Sequence, residues 1–154
     1  AGKIGSSIGA ELGSMRVTEQ IDAMEVSGTN PFKYLVVTRV LAATFMLPVL
    51  IMLGDAISLY GSWVGVNIRG VTSFDLFWTQ VFDNLSFSDV LPAFLKCFFF
   101  GFAVGIIGCY KGFNSKKGTE GVGRSANSAV VISSVMIFVI DLLAVQVTDV
   151  FGFN

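Results

Sequence analysis

The chain has 154 residues, of which 53% are apolar and only 14% are charged, and its formal net charge is -1. Soluble domains carry roughly 25% charged residues, so this composition, with a mean hydropathy of +0.74, argues against a soluble globular protein. Histidine is absent, which excludes His-based general bases, Ser-His and Cys-His nucleophile pairs and His-ligated metal sites. Cys97 and Cys109 are too few for a disulfide framework or a zinc site and are predicted to be small core residues. No cofactor and no nucleic-acid partner are expected.

The first residues are predicted to belong to a helix that starts outside this sequence. The chain opens at Ala1 without an initiator Met and without the charged start and cleavage site of a signal peptide. We therefore expect a single transmembrane domain, residues 1–154, that is truncated at its N-terminus. Residues 1–10 would be the cytoplasmic end of a membrane helix.

Residues 11–28 are predicted to form a short cytoplasmic amphipathic helix. At about 100° per residue, Val17, Ile21 and Met24 fall on one face. Another face is acidic and collects Glu11, Thr18, Asp22 and Glu25. Gly28 would end the helix as a C-cap. Helices that adhere to lipid usually carry Lys or Arg on their polar face, so docking to a cytoplasmic protein is favoured over adhesion to the membrane surface.

Three apolar stretches are long enough to cross a bilayer, which takes about 20 residues at about 1.5 Å each. They lie at residues 34–66, 90–110 and 126–147. The first exceeds one span, so its start is expected in the interface, and Pro48 predicts a kink that neighbouring helices tolerate. The predicted fold class is an all-α integral membrane protein, a multi-span helical bundle.

Basic residues predict the orientation of the spans, since they favour the cytoplasmic side. They lie before or at the start of the first span or crowd the loop between the second and third spans: Lys3, Arg16, Lys33, Arg39, Lys111, Lys116, Lys117 and Arg124. The segment 67–89 has one cation, Arg69, and is rich in aspartate. We expect this segment and the C-terminus to face outside. Its aromatic residues predict an amphipathic piece in the interface: Phe74, Phe77, Trp78, Phe82 and Phe87.

Small residues recur at four-residue spacing, which lets membrane helices approach closely. The series are Gly5, Gly9 and Gly13; Gly61 and Gly65; Gly101 and Gly105; and Ser125, Ala129 and Ser133. Any one pair is explained equally well by the abundance of glycine in membrane helices. Four series together predict a tightly packed bundle.

Charges inside spans cost about 2.5–3.5 kcal/mol each on insertion scales, so they usually face the bundle interior and have partners. Lys96 and Asp141 lie at similar depths in their spans, so an ion pair between them is predicted to be geometrically feasible. The alternative is that Lys96 faces a polar cavity and contacts an anionic substrate group. Asp55 and Arg39 are weaker candidates, because Arg39 can extend to the cytoplasmic interface.

The segment 111–124, KGFNSKKGTEGVGR, superficially resembles a phosphate-binding loop. It lacks a Gly-Lys-Ser/Thr ending in the right order and a preceding buried strand, so a nucleotide site here is not expected. The segment is interpreted as a flexible cytoplasmic turn before a helix. Any ATP would be hydrolysed by another chain.

Two motifs make the chain similar to the MlaE/YrbE-type permeases, which are the membrane subunits of ABC transporters that work with MCE proteins. The first is ELGSMRVTEQIDAMEV at residues 11–26, followed by PFKYLVVTR at residues 31–39. The second is GFN at residues 112–114, followed by EGVGRSANSAVV at residues 120–131 and by Asp141. The resemblance covers essentially the whole chain. It implies that an interfacial helix and the first membrane helices precede Ala1.

The resemblance also implies roles for individual residues. The segment 11–25 matches a coupling helix that inserts into a cytoplasmic ATPase subunit, and its candidate contacts are Glu11, Met15, Arg16, Glu19, Asp22 and Glu25. Lys96 matches a basic residue near a lipid-binding cavity, for which Asp141 and Asp55 are further candidates. The chain departs from the family pattern at residues 115–117, which are more basic than expected.

As a family member, the chain would be a permease subunit without its own ATPase site, in a homodimer in the bacterial inner membrane. It would work with a cytoplasmic ATPase subunit and a periplasmic MCE-domain protein, moving phospholipid and maintaining outer-membrane lipid asymmetry. An apolar cavity with few polar groups suits that task. Two alternatives stay open: an ion-coupled carrier that uses Asp55, Lys96 and Asp141 as a relay, and a non-transporting membrane scaffold. The acidic cytoplasmic helix counts against the carrier.

Overall fold

The protein is built from helices. The computed structural model describes residues 1–68, 70, 73–85 and 87–150, and of 87–89 and 148–150 it describes the backbone alone. Within that part there are six α-helices and no strand, which confirms the predicted all-α class. The helices are α1 (Gly2–Val17), α2 (Gln20–Val26), α3 (Thr38–Ile68), α4 (Phe74–Asn84), α5 (Phe87–Phe113) and α6 (Thr119–Val150). Arg69 and the side chain of Phe87, named above for the outer segment, lie outside the described residues.

Three helices are long and apolar enough to cross a membrane. They are Phe32–Ile68, Val90–Phe113 and Thr119–Val147, with mean hydropathies of 2.2, 2.2 and 2.5. The predicted spans fall within them, and the chain is a multi-pass membrane protein. The third helix starts at Thr119, before the span predicted from residue 126, and its first turns carry an exposed i,i+4 ion pair between Glu120 and Arg124 (3.0 Å).

The first span starts with a π-helical segment, Phe32–Val37, that leads directly into α3. The side-chain oxygen of Asn30 accepts hydrogen bonds from the backbone N–H groups of Phe32 (3.1 Å) and Lys33 (3.3 Å). These bonds satisfy two of the donors that the start of a helix leaves unpaired. Pro48 is fully buried inside α3, and the helix continues through it.

Helix α5 is central, because it packs against α1, α3 and α6. Its closest approach to α3 is at Gly101, where a Cβ atom would lie 2.6 Å from the carbonyl oxygen of Ala43 and 2.8 Å from the Cα of Thr44. One turn later, a Cβ at Gly105 would lie 3.1 Å from the Cα of Val40. The spacing of these two glycines therefore lets two helix backbones meet, as the sequence predicts.

Helix α1 packs against α6 through the glycine series of α1 and the Ser125, Ala129 and Ser133 series of α6. A Cβ at Gly9 would lie 3.3 Å from the Cβ of Ala129, and the Ser125 hydroxyl donates to the Gly9 carbonyl (3.2 Å). Gly61 and Gly65 behave differently, since a Cβ at either would meet nothing within 4 Å in the described part of the chain. Among the described residues, the four-residue spacing of these two glycines therefore corresponds to no close helix contact.

The buried core lies where α1, α2, the start of α3 and the end of α5 converge. Its members are Ile8, Leu12, Ile21, Leu35, Val40, Ala43 and Cys109, with Met24 packed against them. Cys97 and Cys109 are both free thiols and buried, which confirms their prediction as small core residues.

Helix α4 joins the far end of α3 through aromatic contacts. Phe74 packs edge-on against Trp63 of α3 at 5.3 Å between ring centroids, and the rings of Trp78 and Phe82 stack at 5.8 Å. Phe74 and Phe82 are nevertheless more than half exposed. An apolar surface that faces outward on a short helix agrees with the predicted amphipathic segment.

Candidate functional site

Helices α1 and α2 meet at an elbow, which we define as residues 16–26. The Thr18 hydroxyl donates to the Ser14 carbonyl (3.0 Å), and Glu19 has a φ of 57°, in the left-handed region. A left-handed residue interrupts an α-helix, so the single helix predicted for residues 11–28 is replaced by two. Helix α2 ends at Val26 with Ser27 as its C-cap, and the glycine predicted to cap it follows directly: Gly28 has a φ of 80° and the next N–H, of Thr29, donates to the Met24 carbonyl (3.1 Å).

Two ion pairs hold the elbow in place. Nη1 of Arg16 lies 2.6 Å from Oδ1 of Asp22, across the break between the helices. Nζ of Lys117 lies 3.4 Å from Oε1 of Glu19, which ties the elbow to the turn between α5 and α6. Ile21 is fully buried in the core between them. The sequence did not indicate the pair with Lys117, because the two residues are far apart in the chain.

Glu11 and Met15 both contact Arg39 of α3, although the Glu11 side chain stays 59% exposed. Oε1 of Glu11 lies 2.6 Å from Nη2 of Arg39, which is also 3.9 Å from Sδ of Met15. The Arg39 side chain is 19% exposed and also donates to the Leu35 carbonyl (3.1 Å). Arg39, expected to extend to the interface, thus links α3 to α1. The acidic face predicted for one helix is divided between α1 and α2.

Glu25 lies at the open end of the elbow. Its side chain is exposed and has no ion-pair partner among the residues that the structure describes. The next residue, Val26, is 91% exposed. This end of α2 therefore exposes one carboxylate and one apolar side chain side by side.

The Arg39–Glu11 pair is predicted to contribute to stability. In a double-mutant cycle with Arg39→Met and Glu11→Gln, we expect a coupling free energy of about 1 kcal/mol, because the contact is short and the arginine is largely buried. Thermal unfolding of the four detergent-solubilised proteins measures it. Additive effects of the two substitutions would show that the pair contributes nothing.

Lys96 and Asp141 form an ion pair between α5 and α6, with Nζ 3.4 Å from Oδ1. The Lys96 side chain is 21% exposed and that of Asp141 is 54% exposed. Both residues lie within apolar helices, as the sequence predicts, and the structure brings them together. In lipid such a pair avoids the cost of two separate charges.

A cavity of about 440 Å³ opens beside this pair. Lys96 lines it together with apolar residues: Pro92, Leu95, Phe99, Ile140, Leu143, Ala144 and Val147. Asp55 lies exposed on α3 and is not among these lining residues. The structure therefore pairs two of the three intramembrane candidates, and Lys96 is the cation that lines this apolar cavity.

Comparison with known proteins gives concordant matches over nearly the whole chain. Residues 1–147 match the family model described as Permease MlaE. A probable ABC transporter permease protein of Rickettsia typhi is 42% identical over 147 residues, which cover 95% of this chain and 56% of that protein. One from Synechocystis is 39% identical over 139 residues, which cover 90% of this chain and 53% of that protein.

A further relative carries a more specific name. The intermembrane phospholipid transport system permease protein MlaE of Haemophilus influenzae is 34% identical over 145 residues, which cover 93% of this chain and 55% of that protein. The chain therefore spans little more than half the length of the relatives that it matches.

Proposed function

The chain belongs to the MlaE permease family, and on that premise we propose that it is the membrane-spanning part of an ABC transporter permease that moves phospholipid. In this proposal the permease lies in the bacterial inner membrane as a homodimer and exchanges phospholipid with a periplasmic MCE-domain protein, which maintains outer-membrane lipid asymmetry. One relative is named for intermembrane phospholipid transport. ATP hydrolysis is assigned to a separate cytoplasmic subunit.

The observation that carries the proposal is the position of Lys96 at an otherwise apolar cavity. A phospholipid has an anionic phosphate and apolar acyl chains, so it needs one cation beside a large apolar surface. Asp141 holds the ammonium group of Lys96 at 3.4 Å and neutralises it when no lipid is bound. Binding the phosphate and pairing Lys96 with Asp141 need no acid–base catalysis, in accord with a chain that lacks histidine.

The elbow is proposed as the surface that receives the ATPase subunit. Glu25 and Val26 supply its exposed contacts, while the pairs of Arg16 with Asp22 and of Lys117 with Glu19 fix the orientation of α2. Because α1 packs on α5 and α6, a displacement of the elbow is passed to two of the membrane spans. This continuity connects ATP binding to the cavity beside Lys96.

Charge reversal at Glu25 tests the proposal. We expect Glu25→Lys in the full-length permease to reduce co-purification of the ATPase subunit by about tenfold or more, because a like or mismatched charge at a protein interface costs several kcal/mol. Asp22 is a poorer choice for reversal, since it pairs with Arg16 inside the elbow. Quantitative immunoblotting of the purified complex gives the ratio of the two subunits.

Asp75→Lys is the matched control, because Asp75 is an exposed acidic residue on α4, away from the elbow. It should leave the subunit ratio unchanged. Full retention of the ATPase subunit by Glu25→Lys would show that the exposed end of the elbow is not the docking surface. Phospholipid transfer that persists in cells without the cognate ATPase would favour the ion-coupled carrier instead.

A further inference from the structure

A second cavity, of about 390 Å³, lies at the turn between α5 and α6. It is polar and strongly basic. Four cationic residues line it, namely Lys111, Lys116, Lys117 and Arg124, against a single carboxylate, that of Glu120. The turn itself is shorter than predicted: of residues 111–124, only 114–118 lie outside the helices. Two helix ends therefore hold Lys111 and Arg124 at this cavity.

Two of the four cations are already neutralised within the chain. Arg124 pairs with Glu120 at 3.0 Å, and Lys117 pairs with Glu19 at 3.4 Å. Lys111 and Lys116 have no carboxylate within 4 Å in the described part of the chain; the ammonium group of Lys111 lies 5.9 Å from the centre of the Tyr110 ring. The cavity thus presents two uncompensated ammonium groups.

An apolar groove of about 460 Å³ adjoins this basic cavity. Asn114 lines both, so the two lie on either side of this residue at the end of α5. The groove runs between α5 and the start of the first span and is lined by apolar side chains, among them Val37, Leu41 and Ile106. The apolar helix ends at Phe113, which places the basic cavity where α5 leaves the hydrocarbon. The basic cavity lies at the membrane surface and the apolar groove lies deeper. The two therefore match the headgroup and the acyl chain of a lipid in the cytoplasmic leaflet.

We propose that the basic cavity and the apolar groove together bind an anionic phospholipid, with its phosphate at Lys111 and Lys116 and an acyl chain along the groove. Basic pockets between membrane helices on the cytoplasmic side are suited to anionic headgroups. The site is separate from that at Lys96, since fifteen residues of α5 span about 22 Å. It rests on the membrane orientation in the proposed function but not on transport.

The test measures lipid selectivity of the full-length permease, purified with its associated subunits and placed in nanodiscs. Spin-labelled phosphatidylglycerol and phosphatidylcholine serve as probes, and electron paramagnetic resonance gives their relative association. We expect Lys111→Gln/Lys116→Gln to lower the preference for phosphatidylglycerol by about 25-fold, at about fivefold per lysine. Binding of phosphatidylcholine should be unchanged. Val37→Ser/Ile106→Ser, in the groove, should weaken the binding of both lipids to the same extent.

Lys3→Gln/Lys33→Gln is the matched control, because it removes two exposed cations of the cytoplasmic side that do not line the cavity. An equal loss of phosphatidylglycerol preference in this control would mean that general surface charge explains the preference, and it would overturn the proposed lipid site. Displacement of phosphatidylglycerol by low-millimolar inorganic phosphate would assign the cavity to a soluble phosphate instead. Unchanged selectivity in the cavity variant, with the ATPase still bound, would remove this site and leave the proposed function standing.

Discussion

Gly101→Ala is expected to lower the free energy of unfolding of the permease by about 1–3 kcal/mol, the usual cost of adding a group to a well-packed core. The added methyl carbon would lie 2.6 Å from the Ala43 carbonyl oxygen and 2.8 Å from the Cα of Thr44. Both are backbone atoms, so no rotamer change relieves the overlap and α3 must move away from α5. Thermal unfolding of the full-length protein in detergent measures the loss.

Gly54→Ala separates this effect from a general response to alanine. Gly54 lies inside α3, as Gly101 lies inside α5, but a Cβ there would meet nothing within 4 Å among the residues that the structure describes. Alanine favours a helix over glycine by about 1 kcal/mol, so this variant should be as stable as the parent or more stable. Equal melting temperatures for the two variants would mean that α3 and α5 do not meet closely at Gly101.

Lys96→Leu is expected to abolish phospholipid transfer and to destabilise the protein. It removes the cation from the apolar cavity and leaves the Asp141 carboxylate without the partner it has at 3.4 Å. An unpaired charge costs up to about 2.5–3.5 kcal/mol in the bilayer on insertion scales. Transfer of a fluorescent phospholipid by the reconstituted transporter and thermal unfolding measure the two effects.

The double variant Lys96→Leu/Asp141→Leu distinguishes a structural pair from a lipid contact. Removing both charges eliminates the unpaired carboxylate, so stability should return to that of the parent or exceed it. Transfer should stay at least tenfold below the parent rate, because the cavity has lost its cation. A double variant that transports lipid normally would reduce the pair to a structural role.

The sequence predicted those features that depend on local pattern and composition. Hydropathy located the three spans, the stop just after α2 followed from the chemistry of Gly28, and the depths of Lys96 and Asp141 indicated their pairing. Helix α6 nevertheless begins at Thr119, earlier than the apolar stretch alone indicates.

The features that the sequence did not predict depend on distant contacts or on single backbone angles. The left-handed Glu19 divides the cytoplasmic helix, although glutamate carries no preference for that conformation. Glu11 was placed on a docking face, but Arg39, far along the chain, binds it. The basic cavity was likewise hidden, since its shape arises only when α5 and α6 come together. In each case tertiary contacts decide what a local pattern leaves open.

The contact between Gly9 and Ser125 bears on how the protein is made. These residues are 116 positions apart, and at roughly 5–20 residues per second of synthesis the ribosome needs roughly 6–23 s to travel from one to the other. During that interval the glycine face of α1 has no α6 to pack against. The contact between α1 and α6 therefore forms only after α6 has been synthesised.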